Sequence, residues 1–183
     1  MHVEHQDDLE RVRERLRHRD PQSITEFLLS LAGQSGPVGE QVRAFIVADD
    51  LAATVASVTQ RIGGLDIASE YEHRHARGRE MGTRLEFIVE SIERWVLPKD
   101  PKAAFGLLIA LFEADAVAME NCGEHDWEVT CAYQRAAGVM AKAATDLPSA
   151  EVERRITALI DGDGYGVRSG LALPFTASQR LAE

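Results

Sequence analysis

The chain has only two cysteines, Cys122 and Cys131. Disulfide-stapled secreted scaffolds carry more, in shorter chains. Two reduced thiols in a cytoplasmic protein are therefore expected. Aromatic residues are equally scarce, at 6%, so the core must rely on Leu, Ile, Val and Ala. No run of 18 apolar residues occurs. The most apolar stretch, AAFGLLIALFEADAVAM, is interrupted by Glu113 and Asp115, and no membrane-crossing helix is expected. The opening MHVEHQDDLERVRERLRHRD has no apolar core of the signal-peptide kind. Positive charge is in deficit too. The net charge of -10 opposes contact with nucleic acid or an anionic membrane. Catalytic signatures are missing as well: no Walker loop, no Gly-x-Gly-x-x-Gly after a strand, no Gly-x-Ser-x-Gly elbow and no His-Glu-x-x-His. The reading therefore leans away from an enzyme. It assigns no catalytic residue, no metal and no cofactor.

What is present is helical periodicity, with no convincing strand alternation. Leu9, Val12 and Leu16 form a narrow stripe on a charged first helix. Asp20-Pro21 reads as a cap and first helical residue, followed by Ile24, Phe27, Leu28 and Leu31 on one face. Pro37 opens a helix with Val42, Phe45 and Ile46 inward. Leu51, Val55, Val58 and Ile62 mark the next, stopped by Gly63-Gly64. From about Ala68 to Val96, Met81, Leu85, Ile88, Val89, Ile92 and Trp95 keep helical spacing. Pro101 to about Glu120 reads as one helix with two apolar sides. An alanine-rich helix runs from about Asp126 to Thr145, and Ser149 caps a last one carrying Val152, Ile156, Leu159 and Ile160. The expected fold is all-α, with about eight helices, no sheet, and antiparallel hairpins in a solenoid-like array. It forms a single domain over 1–183, with residues 1–19 a loosely attached terminal helix and 162–183 a turn and tail.

Four motifs carry a hint of chemistry. LIDGDGYGVRSGLALP places Asp161, Asp163 and Gly166 at positions 1, 3 and 6 of a calcium loop. Tyr165 and Ala172 then occupy positions 5 and 12, where oxygen ligands are required. A helix end and glycine-rich turn, with Tyr165 and Val167 docking on the core, is the better reading. In EYEHRHARGRE, Glu70 pairs with His73 and Glu72 with His75. Di-iron bundles need such pairs on two helices, and only one helix offers them here. Cys122, His125 and Cys131 could give three zinc ligands or a Cys-His pair, without a fourth ligand or an oxyanion hole. His125-Asp126 reads instead as a cap, with Trp127 the first core residue of its helix. The segment RVRERLRHR holds five arginines and one glutamate. Arginine at every second position spreads charge around a helix rather than along a groove-facing stripe. A solvated helix or an oligomer contact with a second copy fits better than nucleic acid.

Residues LDIASEYEHRHARGREMGTRLEFIVESIERWVLPKDPKAAFGLLIALFEADAVAMENC and DGDGYGVRSGL carry a family pattern. From about Asp20 to Gly166 the layout resembles an uncharacterised bacterial family, a domain of unknown function sometimes met near SWIM-type zinc fingers. Asp100, Ala104, Leu107, Leu108, Leu111 and Tyr165-Gly166 match it. CGEHDW stands where the family has an aspartate-rich turn. The resemblance implies a helical-repeat-like domain with no established activity.

The function read from the sequence is a cytoplasmic protein–protein interaction or scaffold module. Its candidate binding residues are Tyr71, His73, His75, His125, Asp126 and Trp127, polar or aromatic groups near helix ends. A protein partner is expected, with no nucleic acid and no membrane. Two alternatives stand beside it. One is a metal-dependent enzyme using the Glu/His and Cys/His clusters. The other is an acidic partner that neutralises a basic protein, as immunity proteins and antitoxins do.

Overall fold

The computed structural model describes residues 11–34, 36–66, 74–122 and 127–171. Every regular element among them is helical, so the all-α expectation holds. None of these helices is long and apolar enough to cross a membrane. The chain divides into two compact units, Met1–Arg43 and Ala44–Glu183.

The first unit contains a helix over 11–17, here α1, then α2 (Pro21–Ala32) and the start of α3 (Pro37–Val47). The Asp20 carboxylate accepts the Ser23 N–H at 2.9 Å, which satisfies one orphan donor of α2. Pro21 sits where its missing N–H costs nothing. The α2–α3 turn is tight. A Cβ on Gly39 would lie 2.1 Å from the Gln34 carbonyl oxygen, so any larger residue displaces backbone there. The Arg43 guanidinium donates to the Ala32 and Gln34 carbonyls and closes the turn. α2 buries none of its residues. Ile24, Leu28 and Leu31 are half-buried, but Phe27 is exposed, against the inward face expected of it. A unit this small has too little apolar mass to enclose a phenyl ring.

The second unit continues α3 and adds α4 (Leu51–Gly63), α5 (Arg74–Ser91), a π-helical turn (Ile92–Val96), α6 (Pro101–Glu113), α7 (Asp115–Cys122), α8 (Trp127–Ala144) and α9 (Ser149–Asp161). Two 3-10 turns, Gly64–Asp66 and Ser169–Leu171, complete it. Its centre is α6. Ala104, Phe105, Leu107, Leu108, Ile109, Leu111 and Phe112 are all buried, as two apolar sides require. Around it pack α4, the π turn, α8 and α9. The Asp50 and Asp100 carboxylates cap α4 and α6 through the Ala53 and Ala103 N–H groups.

The most extensive pairing is α5 with α8. Small residues permit it: Ala132, Ala136, Ala137 and Ala143 of α8 are buried. At Gly82 the approach is closest, since a Cβ there would stand 2.6 Å from the Glu128 Cβ. Across the same face, Arg135 of α8 bridges Glu86 of α5 and Glu93 of the π turn, and Lys142 joins Glu93 at 2.6 Å. A stacked array is consistent with these pairings, to which α5–α8 adds a contact between non-consecutive helices.

The helix expected from Pro101 to about Glu120 is two helices. Ala114 departs from helical geometry at φ -90° and ψ 7°. Asp115 follows it directly, and its carboxylate is drawn into the core by an arginine described below.

Candidate functional site

Four of the six residues selected from sequence, Tyr71, His73, His125 and Asp126, lie outside the described residues. So do Glu70 and Glu72 of the Glu/His pairs. His75 is the second residue of α5. Trp127 opens α8 and is 71% exposed, which corrects its placement in the core. Cys122 is buried and Cys131 half-buried. Among the described residues, no three His, Cys, Asp or Glu side chains converge to hold a metal.

The glycine stretch is a structural clasp. Asp163 Oδ1 accepts the Gly166 N–H at 2.8 Å, and its Oδ2 accepts the Arg168 N–H at 3.1 Å. The carboxylate at the third calcium-loop position is thus turned onto its own backbone. Gly166 takes φ +77°, a left-handed conformation that glycine adopts without a Cβ penalty. This aims Arg168 inward. Its Nε and Nη2 donate to both oxygens of Asp115 at 2.6 Å, and its Nη1 donates to the Leu159 carbonyl at 3.0 Å. The Asp115 carboxylate raises the guanidinium's pKa further. Val167 docks in the core and Tyr165 packs against it, as the turn reading expected. The Tyr165 hydroxyl reaches Glu120 at 3.0 Å. Sequence reasoning missed the Asp115–Arg168 pair. The signal was there: a carboxylate inside the most apolar helical stretch requires a cation.

In the second unit, Phe45 of α3 meets Trp95 and Arg94 of the π turn at the surface, with Ile46 exposed beside Phe45 in the chain. Phe45 and Ile46 are 56% and 50% exposed, which corrects the inward face expected of both. The reason is that α3 packs through Ala44 and Ala48, one turn apart and both buried. Lys99 Nζ donates to the Ala48 and Asp49 carbonyls at 2.6 and 3.3 Å and holds that helix end in place. Trp95 also differs from expectation. The Leu97 N–H donates to the Ile92 carbonyl at 2.8 Å, an i to i-5 bond that widens the turn. Ile92 and Val96 then share the core, and Trp95 moves to its rim, half-buried.

There the Phe45 and Trp95 rings meet edge to face, with centroids 6.2 Å apart and planes at 62°. The Arg94 guanidinium lies 4.6 Å from the Trp95 ring centroid, a cation–π contact. Two aromatics and an arginine in contact on one surface is the composition of an interface centre. π turns also recur at functional sites. Nothing in this constellation activates a nucleophile or moves a proton. It offers apolar area, a stacked cation and rigidity. No family model, no curated protein and no solved structure matches the chain.

Proposed function

We propose that this chain is a protein–protein interaction module acting in the cytoplasm, with the surface of Phe45, Arg94 and Trp95 as its contact centre. The observation that carries the reading is the exposure of Phe45, and of Ile46 next to it in the chain, with the Phe45 ring on a Trp95 held in a π turn. A monomeric chain gains nothing by leaving a phenylalanine and an isoleucine in water, since burying each contributes about 1.5–3 kcal/mol. A partner that covers them recovers that contribution. The net charge of -10 favours a partner that presents basic groups. Trp127, 71% exposed, belongs to the same reading as a second contact, together with Tyr71.

Affinity capture from the native host tests it, with wild type and variants compared. Trp95→Ala and Phe45→Ala together are expected to lower captured partner at least ten-fold, which is about 1.4 kcal/mol. The fold should stay intact by circular dichroism. Undiminished capture would remove this surface from the function. If alanine at Tyr71 and Trp127 left both capture and folding untouched, those two residues would drop out of the site.

A further inference from the structure

Glu86, Glu93, Arg135 and Lys142 form a charge lattice. None of them lies in the contact centre, yet the lattice grips the turn that carries it. Both oxygens of the Glu93 carboxylate are taken. Lys142 Nζ donates to Oε1 at 2.6 Å, and Arg135 Nη2 donates to Oε2 at 3.1 Å. Arg135 Nη1 also donates to Glu86 of α5. The Lys142 ammonium, and then the Arg135 guanidinium, hold the Glu93 carboxyl below the usual range, so the pairs are formed at neutral pH. Their helix is a fixed reference. Arg135 and Lys142 stand about two turns apart on α8, whose buried face carries Ala132, Ala136, Val139 and Ala143.

Glu93 and Trp95 turn to different neighbours. Glu93 is tied to α8, whereas the Trp95 ring meets Phe45 of α3. The core residues alone leave the register of the turn open. Ile92 and Val96 are both buried in the π form, but an α-helical turn would set Trp95 on the same face as Ile92, as the sequence spacing expects. Reaching that register requires the turn to rotate about its axis. A rotation that carries Trp95 inward carries Glu93 away from α8, and the ion pairs oppose it.

We propose that Glu93, Arg135 and Lys142 are positioning residues of the contact centre: they hold the π turn in the register that keeps Trp95 at the rim against Phe45. This assignment rests on the interaction reading of that surface, and adds the device that sets it.

Trp95 emission tests it in a Trp127→Phe background, because the chain has only two tryptophans and Trp127 is exposed. There Glu93→Gln is expected to shift the emission to shorter wavelength, as the ring turns inward. With Trp127 in place, the same change should lower captured partner about three-fold or more. Arg135→Gln with Lys142→Gln removes the pairs from the other side and should reproduce both effects. Lys142→Arg keeps the charge and should leave both readings near wild type. Exposed ion pairs add little to global stability, so the melting temperature should hardly move. Unchanged emission in Glu93→Gln and in the double variant overturns the proposal, whatever capture shows. Shifted emission with undiminished capture leaves the positioning standing and removes the surface from the function. A lowered melting temperature with emission at longer wavelength means that the pairs hold the whole unit rather than the turn, and overturns the proposal.

Discussion

Replacing Arg168 with alanine is expected to destabilise the fold by about 3–5 kcal/mol. The substitution strips the cation from Asp115, which is almost wholly buried and bonded at 2.6 Å through both carboxylate oxygens. An uncompensated charge in that position costs far more than a lost surface pair, which contributes about 0–1 kcal/mol. It also frees the Leu159 carbonyl from its guanidinium donor, so the end of α9 should loosen with it. In a chain of this size a loss of that order lowers the melting temperature by roughly 10 °C. Guanidinium titration of wild type and Arg168→Ala measures it. Exchanging the pair for apolar residues, as Asp115→Leu with Arg168→Met, is expected to recover most of the loss, because neither charge is then left alone in the core. A single variant as stable as wild type would mean that the clasp carries no weight.

Phe112→Ala is expected to cost about 3–5 kcal/mol, with a cooperative transition retained at a lower midpoint. Phe112 is fully buried on α6, and its ring lies 5.3 Å from that of Tyr133, tilted by 45°. The variant removes that contact and leaves a cavity between α6 and α8. The Tyr133 hydroxyl is bonded to the Leu111 carbonyl at 3.4 Å. Burial pushes the phenol's pKa up, and the Asp115 charge pushes it in the same direction. The cavity therefore opens beside a polar group that depends on its packing. Denaturant unfolding followed by tryptophan emission reads the effect. A loss below about 1 kcal/mol would contradict α6 as the centre of the core.

How much of this could be read from the chain follows from what each signal depends on. Capping and period are local, so Asp20 and Asp100 cap where expected, and Met81, Leu85, Ile88, Val89 and Ile92 face the core as their spacing requires; Asp50 caps α4 without having been singled out, and Ser149, expected as a cap, is instead the first residue of α9 after Pro148. The alanines of α8 likewise announced a close neighbour, although its identity, α5 through Gly82, was not legible. The failures came where tertiary packing chose between two adequate faces. α3 has both Ala44–Ala48 and Phe45–Ile46, and the smaller pair fits the closer approach. Trp95 keeps an α-helical register in sequence, but the π turn takes it to the rim. No periodicity contains an i to i-5 bond. The Asp115–Arg168 pair spans 53 residues, beyond the reach of any local pattern. The site chosen from sequence leaned on histidines near helix ends, and four of its six residues fall outside the described structure. The surface that replaces it comes from residues first assigned to the interior.

The central proposal is that the surface where Phe45 meets Trp95 is the contact centre for a protein partner. Affinity capture with Phe45→Asp beside wild type tests it most directly, because Phe45 is exposed and its replacement leaves the core untouched. A fall of about ten-fold or more in captured partner, with an unchanged melting temperature, is the predicted result. Capture equal to that of wild type would contradict it.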